Sequence, residues 1–182
     1  MKYFEFRDNT AYEKHWTYAA HIEPRSRVVS WRCPECGRAT SYPSAELDVV
    51  LEGGSAFPDF LCCGAYPLLI VSERVIEAWK ENGIECFLAY VVGIAGVEES
   101  EVKKEFAPPY YRVEITGQCR IDVVRSGGRI TRMCNRCAGF QTEPPLFPGF
   151  ELFPGSWDGS DLFRDHVLFP RVTLCTARVA DL

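Results

Sequence analysis

The chain has 182 residues, a formal net charge of −5, 47% hydrophobic residues and 25% charged residues. This composition is typical of a globular protein and excludes a wholly disordered chain. The longest apolar run, Cys86 to Val97, is interrupted by two glycines and is shorter than the roughly 20 residues that a membrane-spanning helix needs. The first eight residues alternate charged and aromatic side chains, unlike a secretory signal. The acidic isoelectric point of about 5.3 weighs against bulk binding of nucleic acid.

The first third of the chain has mostly strand-like patterns. Residues 1–32 are rich in aromatic side chains and alternate in polarity, which predicts one or two strands with a turn near Pro24. Residues 45–51 fit either a short helix or a strand, and Gly53 with Gly54 ends that element.

A strand followed by a helix is the clearest predicted unit. Leu68 to Val71 has the apolar run of a buried strand, Ser72 is a good helix N-cap, and Gly83 stands where a glycine ends a helix. Three apolar side chains fall on one face of this helix: Val75, Ile76 and Trp79.

The remaining sequence favours strands that are joined by polar turns. The predicted elements are strands at 84–97, 113–115 and 121–124, a solvated turn or linker at 98–109, a turn at 126–128 and an irregular loop at 143–159. Together the elements predict a strand-rich α+β protein that forms a single domain over residues 1–182.

The sequence contains a faint internal repeat. Ser72, Arg74 and Val75 align with Thr176, Arg178 and Val179 at an offset of 104 residues. Two cysteine pairs are related by a similar offset, 101 residues, which predicts pseudo-repeat halves at 25–83 and 127–182. A second helix would begin near Arg178 and be short.

Cysteines carry most of the chemical information in this sequence. There are nine of them: Cys33, Cys36, Cys62, Cys63, Cys86, Cys119, Cys134, Cys137 and Cys175. An odd number of cysteines without a secretory signal is typical of a reducing compartment, where clustered thiols bind metals more often than they form disulfides. The cysteine count therefore predicts a reducing compartment.

Two of the cysteine pairs have the Cys-x-x-Cys spacing, at Cys33/Cys36 and at Cys134/Cys137. This spacing lets one tight turn direct both sulfur atoms at a tetrahedral ion, and two such turns supply the four thiolates of a closed structural zinc site. Strand-like residues before Cys33 and a poor helix start after Cys36 favour a zinc ribbon over a thioredoxin-like redox pair. Two incomplete metal sites and a set of reduced or redox-active thiols are the alternatives.

The energies allow a site that joins such distant segments. Cys36 and Cys134 are 98 residues apart, and closing a loop of that length costs about 4 kcal/mol. Structural zinc contributes roughly 10–16 kcal/mol of apparent binding free energy. Because the metal contributes more than the loop costs, one structural zinc ion that is shared by both pairs is the favoured prediction.

The other cysteines favour less specific roles. Cys86, Cys119 and Cys175 stand in apolar, strand-like contexts that predict small core residues. The vicinal Cys62 and Cys63 could serve a thiol enzyme together with His166, but the sequence has no recognised catalytic motif. We therefore predict that the protein is not an enzyme.

Two charged stretches are candidates for partner binding. The first is an acidic-aromatic stretch that would contact a partner or, as the alternative, form a polar loop and a helix cap: Trp157, Asp158, Asp161 and Asp165. The second is a run of arginines: Arg120, Arg125, Arg129, Arg132 and Arg136. On a ribbon hairpin these arginines would form a small basic face, which is the basis of an alternative prediction, a zinc-ribbon module that binds nucleic acid or acts in transcription.

The two cysteine motifs place the chain near a known family. Trp31-Arg32-Cys33-Pro34-Glu35-Cys36-Gly37 and Cys134-Asn135-Arg136-Cys137 resemble the paired motifs of the double-CXXCG family of myxobacteria, some members of which are immunity proteins of the Sit toxin–immunity system. Val71-Ser72-Glu73-Arg74-Val75, the stretch from Gly159 to Arg164 and the stretch from Thr176 to Val179 are also similar to phrases in such proteins. The sequence departs from the family pattern at Ala138, where the second motif would have glycine.

The resemblance implies a cytoplasmic, non-catalytic protein that binds and neutralises a cognate bacterial toxin, with zinc stabilising the scaffold. The acidic charge would suit a basic toxin, because complementary charge accelerates association. Neither the toxin nor the oligomeric state follows from the sequence.

Overall fold

The computed structural model describes residues 3–6, 15–23, 28–43, 47–63, 68–137, 139–144, 149–169 and 172–182. Within these ranges the chain is an α+β protein that is rich in strands and has two helices, as predicted. The predicted turn near Pro24 lies outside the described residues. The strands are, in chain order, β1 Tyr3–Phe6, β2 Tyr18–Glu23, β3 Val28–Arg32, β4 Ala39–Pro43, β5 Leu47–Glu52, β6 Phe60–Leu61, β7 Leu69–Ser72, β8 Phe87–Glu98, β9 Tyr110–Ile115, β10 Gly117–Gln118, β11 Arg129–Met133, β12 Phe140–Glu143, β13 Leu162–Arg164 and β14 Thr173–Thr176. The helices are α1 Glu73–Glu81 and α2 Ala177–Ala180.

The chain divides into two compact units, and a single domain over residues 1–182 stays a prediction. Unit 1 consists of Met1–Phe6, Trp31–Thr40 and Ile115–Leu182, and unit 2 consists of Arg7–Ser30 and Ser41–Glu114. Unit 1 combines three segments that are far apart along the chain, whereas only residues 31–40 separate the two segments of unit 2.

Unit 2 is built on a six-stranded sheet in the order β2-β5-β8-β9-β7-β6. The pair β5–β8 is parallel, and β7 pairs antiparallel with both β6 and β9. Its core consists of buried residues from these strands and the adjoining loop: Ala19, Leu47, Val49, Leu51, Leu61, Cys63, Ile70, Val92 and Tyr110. The segment that the sequence left open between helix and strand is therefore the strand β5. Gly54 ends it with a φ of 69°, where a Cβ atom would lie 2.4 Å from the backbone of Trp16.

Helix α1 follows β7 as the sequence predicts. The three apolar residues of its inner face, Val75, Ile76 and Trp79, are all buried. Gly83 has a φ of 66° just after the helix, which is the left-handed conformation of a helix-terminating glycine. No helix among the described residues has the length and hydropathy that crossing a membrane would require.

The role of Ser72 differs from a simple N-cap. The residue occupies the N-cap position, but its hydroxyl does not bond to the first turn of the helix. Ser72 Oγ instead donates to Asp59 Oδ1 at 2.7 Å, and the Arg74 guanidinium also bonds to the Asp59 carboxylate. The side chain thus ties the start of α1 to a loop of unit 2 that lies thirteen residues earlier in the chain.

Unit 1 contains a four-stranded sheet in the order β1-β14-β13-β10. The N-terminal strand β1 lies at the edge and pairs antiparallel with β14, which comes from the other end of the chain. Its core contains Cys119, Ile121, Phe163 and Leu174, with Trp157 packed against the cluster. Helix α2 is short and begins directly after β14, as the sequence predicts.

One strand prediction in unit 1 is wrong. Residues 121–124 do not continue a strand, because the chain turns after Ile121. Asp122 Oδ1 accepts the N–H of Arg125, and the Asp122 carbonyl accepts both the N–H and the hydroxyl of Ser126. An aspartate that bonds to the following backbone favours such a turn over a strand.

Two hairpins carry the cysteine pairs, and unit 1 contains residues 31–40 of the first hairpin and the second hairpin. The strands β3 and β4 form one two-stranded sheet, and β11 and β12 form another. Each hairpin has a Cys-x-x-Cys turn at its tip, at 33–36 and at 134–137.

Trp79 tests the packing of α1. Its side chain is 2% exposed, and its ring meets that of Phe87 edge to face with the centroids 5.3 Å apart. We expect Trp79→Ala to lower the free energy of unfolding by about 3–5 kcal/mol, because it leaves a large cavity. Glu77→Ala on the exposed face of the same helix is the control and should change it by less than about 0.5 kcal/mol. Equal effects of both variants in urea unfolding would contradict this packing.

Candidate metal centre

The first hairpin turns sharply around Cys33. Its backbone N–H donates to the carbonyl of Arg38 at 2.9 Å, and the N–H of Gly37 donates back to the carbonyl of Cys33 at 2.9 Å. Gly37 has a φ of 73°, which a residue with a side chain rarely adopts. This closed turn directs the Cys33 and Cys36 sulfurs to the same side.

The second hairpin repeats this turn without a glycine directly after its last cysteine. The N–H of Cys134 donates to the carbonyl of Gly139 at 2.8 Å, and the N–H of Gly139 donates to Cys137 Sγ at 3.4 Å. A Cβ atom at position 139 would lie 2.7 Å from the Arg38 guanidinium and 3.1 Å from the Cys137 sulfur. A side chain at 139 would therefore require the Arg38 side chain and the Cys137 sulfur to shift, while Ala138 lies outside the described residues.

The structure brings the four predicted ligands together. The Sγ atoms of Cys33, Cys36, Cys134 and Cys137 all lie within 4.8 Å of one another. Across the two hairpins, Cys33 Sγ is 3.8 Å from Cys134 Sγ, and Cys36 Sγ is 3.6 Å from Cys137 Sγ. Four thiolates at a metal–sulfur distance of roughly 2.3 Å form a tetrahedron with edges of about 3.8 Å. The arrangement is compatible with one metal ion bound by all four sulfurs.

The electrostatics of the cluster suit an exchange of protons for a cation. Hydrogen bonds from the backbone N–H of Cys36, and further ones from neighbouring groups, lower the pKa of the Cys33 thiol to about 7. The N–H of Gly139 lowers the pKa of Cys137, but burial and hydrogen bonds with the other three thiols outweigh it and raise that pKa to about 12. A metal that binds all four thiolates must therefore displace protons at neutral pH, and its affinity falls as the pH falls.

A polar groove of about 440 Å³ lies between the two hairpins. It is lined by Cys36, Gly37, Arg38, Arg132, Cys134, Gly139, Phe140 and Gln141. Among the described residues, neither Arg38 nor Arg132 takes part in an ion pair. Four thiolates around a divalent ion carry a net charge of −2, so these guanidinium groups offset the charge of a filled site.

Sequence reasoning did not identify Arg38, Arg132 and Gly139 as parts of this site. The sequence does hold a signal for two of these residues, because Arg38 and Gly139 each stand two positions after a cysteine pair. In the structure their carbonyls accept equivalent backbone hydrogen bonds from Cys33 and Cys134. The predicted single basic face from Arg120 to Arg136 is divided in the structure. Arg120 lies 3.8 Å from Asp165 and Arg125 lies 3.6 Å from Glu151, which leaves the remainder of the run on the second hairpin.

The other cysteines do not join the cluster. Cys119 and Cys175 are buried, as predicted for core residues, and burial raises their pKa values to about 12 and 11 respectively. Cys63 is buried and donates to the Leu61 carbonyl, whereas Cys62 and Cys86 are half-buried. His166 bonds to the carbonyl of Gly117 at 3.3 Å.

Three of the predicted partner-binding residues have contacts within unit 1. The ring of Trp157 packs on Tyr3, and its indole N–H donates to the Ser160 carbonyl. Asp158 accepts the N–H groups of Gln118 and Ser160, and Asp161 bonds to Thr176 and Arg178. These contacts account for the conformation of the loop, and the contact with a partner stays a prediction for these three residues.

Asp165 does not fit the predicted contact set. Its side chain has no exposed surface, and its carboxylate accepts the backbone N–H groups of Ile121, Val167 and Leu168 at 2.9–3.0 Å. A carboxylate that is buried in this way offers no surface to a partner. Its role is to hold the turn that follows β13 against the segment after β10.

Comparisons with protein-family models and with curated proteins find no match for this chain.

Cysteine variants test the site directly. We expect Cys33→Ser and Cys134→Ser each to prevent tight metal binding and to lower the free energy of unfolding by on the order of 5 kcal/mol, a part of the roughly 10–16 kcal/mol that a structural zinc supplies. Cys86→Ser, at a half-buried position outside the cluster, should retain the metal. If both cluster variants melt like the parent protein, the metal does not stabilise the fold.

Asp165 gives a separate test of unit 1. Asp165→Ala leaves three backbone N–H groups without their acceptor and should cost about 2–4 kcal/mol of stability. Asp181→Ala removes an exposed carboxylate and should change stability by less than about 0.5 kcal/mol. Thermal unfolding that is unchanged in Asp165→Ala would show that these hydrogen bonds do not stabilise the protein.

Proposed function

We propose that this chain is an immunity-type protein of the cytoplasm that binds and neutralises a cognate bacterial toxin without catalysis. One zinc ion, held by Cys33, Cys36, Cys134 and Cys137, stabilises the scaffold. The resemblance of the two cysteine motifs to the double-CXXCG family suggested this function, and the observation that carries the proposal is the distribution of charge between the two units.

Zinc is the proposed metal because of the donor set. Four cysteine thiolates in tetrahedral geometry are the ligands of closed structural zinc sites, and such a site has no open position for substrate. The distances of 3.6 and 3.8 Å between sulfurs on opposite hairpins match the edges of a zinc tetrathiolate. The ion would therefore link the two hairpins of unit 1 and take no part in a reaction.

Negative charge is concentrated on unit 2. This unit has nine Lys and Arg residues against sixteen Asp and Glu residues, a net charge of −7, whereas unit 1 has eleven against nine, a net charge of +2. The whole-chain charge of −5 therefore understates the acidity of one part of the molecule. A strongly acidic surface attracts a basic partner and raises its association rate, in a way that falls with ionic strength.

Helix α1 presents part of this charge in a regular row. Glu73, Glu77 and Glu81 are spaced four residues apart, and the last two are exposed. Like charges at this spacing destabilise a helix by roughly 0.2–0.5 kcal/mol per pair. A row that costs stability is consistent with a selected role in binding a cationic surface.

Protection of growing cells tests this function. Each toxin of the source organism is expressed in a host together with the chain, with the double variant Glu77→Lys/Glu81→Lys, or with the control Glu151→Lys/Asp181→Lys, which reverses the same number of exposed charges in unit 1. We expect the parent and the control to restore growth against one toxin, and the α1 variant to lose this protection while it keeps its metal and thermal stability. Failure to neutralise any toxin, or full protection by the α1 variant, would contradict the proposal.

The groove between the hairpins favours a second candidate, a zinc-ribbon module that binds nucleic acid. Arg38 and Arg132 line the groove, and Trp31, two residues before Cys33, is 44% exposed and available to stack on a base. Binding of single-stranded DNA or RNA that weakens steeply with salt, and that is lost in Arg38→Ala/Arg132→Ala, would support this candidate. If no nucleic acid binds, compensation of the charge of the metal site is enough to account for these two arginines.

A further inference from the structure

We infer that the chain is an internal duplication whose second copy is completed by the N-terminal strand of the same chain. In this arrangement β9 is the last strand of the first copy, and β1 is the corresponding last strand of the second copy. The inference rests on matching hydrogen bonds and strand registers, and it is independent of the proposed toxin binding.

A three-residue clamp occurs once in each unit. In unit 2, Ser72 Oγ donates to Asp59 Oδ1 at 2.7 Å, the Ser72 N–H donates to the Asp59 carbonyl at 2.9 Å, and the Arg74 guanidinium pairs with the Asp59 carboxylate. Ser72 is the last residue of β7 and Arg74 is the second residue of α1, and both bind the same aspartate.

The clamp of unit 1 has the same contacts. Thr176 Oγ1 donates to Asp161 Oδ1 at 2.6 Å, the Thr176 N–H donates to the Asp161 carbonyl at 3.0 Å, and Arg178 Nη1 donates to Asp161 Oδ2 at 2.9 Å. The aspartates are 102 residues apart, and the hydroxyl residues and arginines are 104 residues apart. Three types of contact with the same donors and acceptors are more than the chance recurrence of one ion pair.

The strands next to each clamp pair in the same register. In unit 2, β6 follows Asp59 and pairs antiparallel with β7, with Phe60 opposite Val71. In unit 1, β13 follows Asp161 and pairs antiparallel with β14, with Leu162 opposite Cys175. Each second strand then continues directly into a helix, α1 or α2, whose third residue, Val75 or Val179, is buried.

A third strand occupies the same place in each sheet but comes from different parts of the chain. Strand β9 lies antiparallel to β7 with Tyr110 opposite Ser72, and β1 lies antiparallel to β14 with Tyr3 opposite Thr176. In both cases a tyrosine stands opposite the hydroxyl residue of the clamp. Strand β9 follows α1 in the sequence, whereas β1 precedes the rest of the second copy by more than a hundred residues.

The remaining parts of the two copies also correspond. In unit 2, the N–H of Ala19 donates at 2.8 Å to the carbonyl of Cys62, which lies one residue after β6. In unit 1, the N–H of Cys119 donates at 3.1 Å to the carbonyl of Arg164, which is the last residue of β13. The hairpins follow, with Cys33 and Cys36 equivalent to Cys134 and Cys137 at an offset of 101 residues. The closest sulfur pairs between hairpins are therefore equivalent residues, so each copy contributes the same half of the ligand set.

This correspondence extends the repeat beyond the halves 25–83 and 127–182 that the sequence pattern predicts. The copies begin near Thr17 and Gly117 and end at β9 and β1. Strand β5 corresponds in unit 1 to a single antiparallel bridge, Ile121 opposite Leu152, which matches His21 opposite Val50 in unit 2. Strand β8 has no counterpart among the described residues of unit 1.

A circular permutant that retains every residue tests the closure by β1. The new chain runs from Lys103 to Leu182, continues through a flexible linker of about twelve residues and ends with Met1 to Val102. Its new termini then lie before β9, the strand equivalent to β1. We expect the same metal content per chain and cooperative unfolding within a few degrees of the natural order. A permutant that is folded but lacks the metal would overturn the inference.

Exchange of the clamp residues tests the equivalence even if the permutant does not fold. Ser72→Ala and Thr176→Ala should each shift the unfolding equilibrium by a similar factor, roughly two- to twelvefold, because each loses one hydrogen bond. The interchange variants Ser72→Thr and Thr176→Ser should stay within twofold of the parent, because each copy accepts the residue of the other. The inference is wrong if either interchange variant is as unstable as the alanine variant at its position.

Discussion

The meeting of two cysteine hairpins from distant parts of the chain is the constraint on which unit 1 depends. Residues 31–40 belong to this unit although the chain before and after them belongs to unit 2, and the hairpin they form brings Cys33 and Cys36 to Cys134 and Cys137. A metal ion bound by all four sulfurs would add its binding free energy to the packing of this unit. Arg38 and Arg132 line the groove beside these sulfurs and would offset the charge of four thiolates.

The two aspartate clamps perform the corresponding task in the sheets. Each clamp fixes the point at which a buried strand becomes a helix, through a hydroxyl, a backbone N–H and a guanidinium that all converge on one carboxylate. The same clamp occurs in both units, so each unit has an equivalent pair of strands beside its aspartate. The two units differ in net charge, which is −7 for unit 2 and +2 for unit 1. One unit therefore provides a strongly acidic surface and the other the metal centre, a division of roles that suits a scaffold for binding a basic partner.

The sequence predicts local elements and the members of the cysteine cluster well, because these depend on short spacings. The strand before Ser72, the buried helix face of Val75, Ile76 and Trp79, and the clustering of the two cysteine pairs all follow from periodicity or from the Cys-x-x-Cys pattern. Pairing between distant segments leaves no such trace, so β1 beside β14 and the division into two units could not be predicted. Asp165 illustrates the same limit: in the sequence it is one of several acidic residues near Trp157, and only the fold shows that three backbone N–H groups bury its carboxylate.

The most direct test of the central claim is the mass of the purified chain under native and denaturing conditions, combined with elemental analysis of the metal. The account predicts one zinc ion per chain in the native protein, its loss on denaturation, and a gain of four thiols that react with a thiol reagent when a chelator is added. A native mass equal to that of the bare chain, with the four cluster thiols reacting freely in the folded protein, would contradict it.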